Sequence, residues 1–253
     1  MRELIINADD FGLDRNTVDA TIALIERGLV TSATLLLSGE DIERAIDFAV
    51  QAQHACSFGL HFNIVDGATA SCPSSLTDQS ARYRPSARQR VRALLGLLYA
   101  ADLRQEFNWQ AARLLDRGIN LSHADSHGHL HKWPHVAKTI APLLPELGIK
   151  AMRRPQNLYV RRRPTDYLDS YCTWRFPRVR TTNNYCALDP NEPDWIHLLP
   201  ALIPDGTTEL SVHPGKLEQW RRQEFEPLLH VGSDFFREQG IRLINFRDLA
   251  SDR

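Results

Sequence analysis

Residues 4–37, LIINADDFGLDRNTVDATIALIERGLVTSATLLL, hold the pattern from which the fold follows. An apolar run, Leu4–Ala8, ends in the pair Asp9-Asp10. Helical periodicity then runs from Asn16 to Arg27 and stops at Gly28, and a second β-like run follows at Ala33–Leu37. Glycine just past a helix supplies the left-handed residue that ends it. A strand, a helix and a strand in so short a span read as a crossover unit, because parallel strands need such a connection.

The pattern recurs along the chain. Further strands are expected at Phe58–Val65, Leu121–Asp125, Ile149–Arg153, Glu209–His213 and Ile241–Asn245. Further helices are expected at Asp41–Gln53 and at Val91–Arg117, the latter closed by Gly118 and broken near Gly96. Residues 66–88, with Gly67, Pro73 and Pro85, read as an excursion from this frame, as does 154–208, which mixes arginines with aromatics and prolines. No internal repeat, linker or low-complexity tail interrupts it. Residues 1–253 are therefore expected to form one α/β domain, a distorted or incomplete (β/α) TIM-like barrel of predominantly parallel strands.

Composition removes several function classes. The 30 Lys and Arg balance 31 Asp and Glu, so no global field points to nucleic acid or an anionic surface. Specificity must be local. No stretch approaches membrane-spanning length, and the apolar start, Leu4 to Ile6, is too brief for a signal-peptide core. Cys56, Cys72, Cys172 and Cys186 are scattered without a C-x-x-C, which suggests a reduced, cytoplasmic protein.

The residues able to do chemistry fall at the C-terminal ends of the expected strands, the edge where parallel α/β folds gather their sites. Asp9 and Asp10 end the first strand; a plain structural reading makes one of them a helix cap or turn residue. In SHADSHGHLH, 122–131, four histidines and a carboxylate alternate, so His123, Asp125 and His127 share one face of an extended chain. Such a density is hard to explain by packing, since each buried imidazole needs a partner. Gly128 and Pro134 take the chain off the strand, which leaves His129 and His131 to support the ligands or touch substrate; Asp125 is placed with them as a substrate contact. His61, in Gly59-Leu60-His61-Phe62, reads alone as a core histidine. Together Asp10, His61 and His127 supply two imidazoles and a carboxylate, a ligand set of catalytic metal sites with open positions. His213, before Pro214-Gly215, either orders a loop or acts in chemistry. Arg153 is either a surface charge or the bidentate partner of a carboxylate.

Taken together, INADDFGL from Ile6, VTSAT at 30–34, GLHF at 59–62, DSHGHLH at 125–131 and VHPG at 212–215 resemble the YdjC-type carbohydrate deacetylases, which include chitooligosaccharide and hopanoid-associated deacetylases. The resemblance implies a distorted (β/α) barrel with one divalent metal held by Asp10, His61 and His127. It implies Asp9 as catalytic base, His213 as general acid and Arg153 as the arginine that positions the base. The expected reaction is removal of the acetyl group from the nitrogen of an N-acetylated amino sugar, a chitooligosaccharide or another N-acetylglucosamine-containing glycan or glycolipid, with release of acetate.

Magnesium or zinc is expected, with cobalt, nickel or manganese as further candidates. The expected partner is the sugar substrate, with no nucleic acid, no membrane span and a homodimer left open. Two other classes stand beside this one. A barrel metallohydrolase acting on another amide or a phosphate ester would favour His-x-His on its first strand and often two metals. A non-catalytic sugar-binding protein would need neither base nor acid.

Overall fold

The computed structural model describes residues 1–67, 75–154, 179–188, 194–232 and 234–251. The described residues include eight strands: β1 (Arg2–Phe11), β2 (Ser32–Leu35), β3 (Ser57–Phe62), β4 (Leu121–Ser126), β5 (Ala151–Met152), β6 (Asn184–Ala187), β7 (Gly206–Val212) and β8 (Ile241–Leu243). They form one sheet in the order β5-β4-β3-β2-β1-β7-β6, with β8 paired to β1. Every strand ladder in it is parallel. The sheet curls into a half-barrel, the distorted TIM-like α/β architecture expected from the sequence. Among the described residues β5 and β6 do not pair, so the barrel stays open there.

β1 is the axis of this arrangement. Its ten residues are long enough to serve three neighbours: Arg2–Ala8 pair with β7, Arg2–Leu4 with β8, and the stretch from Asn7 to Phe11 with β2. From Leu4 to Phe11 every residue is buried, as a strand covered on both faces requires. Helices α1 (Arg15–Glu26), α2 (Ile42–Ala52), α3 (Ser86–Leu94), α4 (Ala100–Leu115) and α5 (Pro134–Ile140) follow between and after the strands. Phe11 anchors α2 by an edge contact with Phe48 and stacks on Phe58 of β3.

The expected long helix divides at Gly96, whose φ of 67° is left-handed, giving α3 and α4. Most elements shift by a few residues at their ends, and two departures are larger. The strand expected at Ile149–Arg153 shortens to Ala151–Met152, and β6 lies inside the stretch 154–208 expected as an excursion. Part of 66–88 is also tied to the frame: α3 begins at Ser86, and buried Gln89 donates to the carbonyls of Ile64 and Leu76. Among the described residues no helix is long and apolar enough to cross a membrane.

Candidate active site

Neighbouring residues of a regular strand point to opposite faces, so Asp9 and Asp10 should diverge. They do not, because β1 is irregular where it ends. Its register with β2 slips between Ala8 and Phe11, and Asp10 takes a φ of 59°, a left-handed conformation that Asp tolerates better than most residues. Both carboxylates are thereby turned toward His61. The helix-cap reading fails for both, since the side chain that caps α1 is Asp14, accepting the Thr17 N–H at 2.7 Å.

Asp10, His61 and His127 meet in one place. Asp10 Oδ1 lies 2.9 Å from His127 Nδ1 and 3.2 Å from His61 Nε2, and the two nitrogens are 3.2 Å apart. His61 Nδ1 donates to Asp125 Oδ1 at 2.6 Å, which leaves Nε2 as the nitrogen facing the other two donors, the one that would give up its proton to bind an ion. Arg221 donates to Asp10 Oδ2 at 2.6 Å, so Oδ1 is the oxygen facing the imidazoles. Burial opposes the charge on Asp10, but its bonds to His127 and His61 override it and hold the carboxyl well below its usual range. Three donor atoms about 3 Å apart are spaced as ligands roughly 2.0–2.2 Å from a common centre are. The donor set fits a divalent ion.

A second group, Asp9, His61 and Asp125, is equally close-set and fully buried, but a side chain already supplies its cation. Arg153 is wholly buried, not the surface charge that its sequence also allowed. It forms a fork with Asp9, Nη1 to Oδ2 at 2.7 Å and Nη2 to Oδ1 at 2.6 Å. Nη1 also reaches Asp125 Oδ2 at 2.8 Å, and Nε donates to Glu209 Oε1 at 2.7 Å. Burial works against Asp9, and the Arg153 charge outweighs it, so Asp9 stays ionised. Glu209 behaves differently. Burial dominates and lifts it to about 8, and its Oε2 has no partner among the described residues. It therefore carries its proton at neutral pH, leaving one guanidinium between two carboxylates.

His213 sits at the end of β7 with Nε2 3.7 Å from Asp9 Oδ2. Glu224, on the helix Gln219–His230, accepts both the His213 backbone N–H, at 2.6 Å, and Nδ1, at 3.1 Å. Burial opposes the imidazolium, but Glu224 first and then Asp9 and Asp10 raise its pKa to about 9. An ionised carboxylate and a protonated imidazole thus stand side by side at the rim of the donor set, a pairing suited to general base and acid roles.

The alternating histidines occupy one interior at different depths. His123 lies deepest, fully buried, stacked on Phe246 at 3.8 Å and 2.9 Å from Asn7 Oδ1; Asn7 in turn donates to Asp9 Oδ1 at 2.9 Å. Gly59 makes room for it, because a side chain there would meet the His123 carbonyl at 2.6 Å. Asp125, expected among the substrate contacts, is fully buried, with its oxygens committed to His61, Arg153 and Thr34. His131 is likewise buried, its Nδ1 hydrogen-bonded with the Ser126 hydroxyl at 2.6 Å. His129, with a φ of 57°, packs its ring edge against Tyr185, and its Nδ1 has no partner among the described residues.

Sequence reasoning missed Asn7, Thr34, Glu209, Arg221 and Glu224. For Glu209 a signal existed: Glu209, Ser211 and His213 alternate, so a carboxylate on the site-facing side of β7 called for a buried cation. Arg221 and Glu224 stand three apart on a helix far along the chain, and nothing local marks them.

Known proteins resemble this chain along almost all its length. A carbohydrate deacetylase from Brevibacillus brevis is 24% identical over 260 residues, covering 98% of this chain and 100% of the relative. A chitooligosaccharide deacetylase from Yersinia pestis is 28% identical over 221 residues, covering 85% and 83%. A crystal structure from Enterococcus faecalis, described as a candidate cellobiose-phosphate cleavage protein, superposes with a TM-score of 0.81 at 21% identity, covering 98% of this chain and 99% of that one, a likeness of fold. Residues 3–235 match the model of the YdjC-like protein family, and the chain belongs to that family.

Proposed function

We propose that this protein is a divalent-metal-dependent hydrolase that removes the acetyl group from the nitrogen of an N-acetylated amino sugar. One observation carries the reading: the Asp10, His61 and His127 donors lie beside the Asp9 carboxyl and the His213 imidazole, which are 3.7 Å apart. Pure sugar binding needs neither of the last two. The relatives' names, carbohydrate deacetylase and chitooligosaccharide deacetylase, support the substrate class.

Asp10, His61 and His127 would hold a divalent ion, which would supply Lewis-acid chemistry by acidifying a water, to a pKa of about 7 in favourable sites, and polarising a carbonyl. Asp9, fixed by the Arg153 fork, accepts the proton of the attacking water. His213, kept charged and oriented by Glu224, delivers a proton to the departing nitrogen, a contribution of about 10²–10⁴ in rate. Asp125 and His131 act as supports, Asp125 by setting the His61 tautomer, while His129 is the histidine left for substrate. Two imidazoles and one carboxylate favour zinc, cobalt or nickel over magnesium, whose preference is for oxygen. The buried free thiols Cys56 and Cys186 suit the cytoplasm; Cys72 and Cys172 lie outside the described residues.

Arg153 also bears on the two-metal alternative. Its guanidinium occupies the second carboxylate cluster, which leaves donors for one ion. The test is acetate release from a panel of N-acetylated sugars, using protein stripped by chelation and reloaded ion by ion. Release that depends on one equivalent of metal supports the proposal. Absence of release with every ion, or two ions per chain with turnover of a phosphate ester, would overturn it.

A further inference from the structure

α3 and the turn after it expose apolar side chains among cations. Among the described residues, Val91 is 55% exposed, Leu94 and Leu95 64% each, Leu97 44% and Tyr99 64%. Large apolar groups left in water together, unlike single ones, mark a contact surface. On α3 the buried positions are Gln89 and Ala93, which face the core. Val91, Leu94 and Leu95 share the opposite side at helical spacing, and exposed Arg88, one turn before Val91, continues that stripe.

Positive charge predominates around this stripe. From residue 79 to 101 the sequence holds Arg82, Arg84, Arg88, Arg90 and Arg92 and no acid. Arg84 and Arg92 are bonded to backbone carbonyls, at Ser75 and Leu97, and Arg90 to that of Gly128 at 3.2 Å. The neighbouring carboxylates in sequence are used locally: Asp66 accepts the Ser86 N–H, Asp78 those of Ser80 and Arg82, and Asp102 that of Ser75. The elements packed against α3 add His135 and Lys138 of α5 and Lys132 of the turn after β4, again no acid. Burial first, then the proximity of Arg92 and Arg88, depresses Arg84.

A second copy of the chain suits this face poorly, because a two-fold contact would set arginine against arginine. An anionic lipid surface supplies both what the leucines and the tyrosine need and what the arginines need. We propose that α3 and the 95–99 turn dock this protein on anionic membrane surfaces. The Arg90 bond to Gly128, between His127 and His129, sets the docked face against the mouth of the candidate site.

The test is vesicle flotation of the full chain with phosphatidylcholine alone and with phosphatidylcholine and phosphatidylglycerol mixed. Binding is expected only to the mixed vesicles and is lost as salt rises. Leu94→Glu with Leu95→Glu, and Arg82→Gln with Arg88→Gln, should each weaken it at least about tenfold, with circular dichroism and any hydrolysis of a soluble substrate unchanged. No binding to mixed vesicles, or binding that neither pair of changes reduces, overturns the proposal. So does a dimer in light scattering that the glutamates split, which would assign the face to a second copy. None of these readouts depends on the reaction proposed for the site.

Discussion

Two close-set groups of acids share His61 but differ in where their positive charge comes from. Around Arg153, the carboxylates of Asp9 and Asp125 and the neutral acid of Glu209 surround a cation that the chain itself carries, and all four side chains are buried. Around Asp10, two imidazoles face one carboxylate oxygen, and His127 is 30% exposed. The first group is complete as folded and cannot exchange its cation. The second has one side open to solvent, from which an ion could enter. The same residue types thus build a fixed support and a ligand set, and the difference lies in whether a guanidinium reaches them.

The comparison breaks most sharply at Arg153. Replacing Arg153 with Met leaves Asp9 and Asp125 buried without their cation, which is expected to cost about 3–5 kcal/mol of stability and to abolish turnover; chemical denaturation reads the first, acetate release the second. An unfolding free energy that did not change would show that these acids do not depend on the guanidinium.

Next come the two aspartates' own sides. Asp9→Asn is expected to keep the metal and lose turnover by roughly 10²–10⁴, whereas His127→Ala loses both, as metal content and initial rates would show. Equal metal loss in the two variants would mean that Asp9 and Asp10 have been assigned the wrong way round. Smaller still is Asp125→Asn, which keeps the shape of the link between the groups and removes its charge. Metal affinity should fall about 10–100-fold, measured by competition with a chromophoric chelator.

The mildest change concerns pH. His213 acts as an acid only while protonated, so kcat/KM should be full below about 9 and fall as pH rises through that value. Glu224 favours the imidazolium, and Glu224→Gln should move the alkaline limb to lower pH. A limb that stays in place would remove His213 from the acid role.

Much of the fold was legible because its signals are local. The apolar run at Leu4–Ala8, the alternation at Leu121–Asp125 and the glycines at 28, 96 and 118 describe events within a few residues. The strand ends at Asp9-Asp10, His61, His127 and His213 then fixed which side chains share an edge. β6 stayed hidden because Asn184–Ala187 is four residues in a stretch of arginines and prolines. The supports stayed hidden for another reason: Glu209 is 56 residues from Arg153, and Arg221 is 211 from Asp10. A buried contact between distant side chains leaves no periodic trace in either segment. Asp125 lies on the expected face but fully buried, since alternation gives the face of a strand and not the distance from its mouth.

The left-handed backbone at Asp10 has a consequence for how this position can vary. The residue there has to bend the chain and present a carboxylate within one side chain's reach of two imidazoles. Glycine satisfies the first demand and glutamate the second, while asparagine takes the bend without the charge. Single replacements therefore leave the aspartate by routes that each forfeit one of its duties, so evolutionary drift at this site is confined from two directions at once.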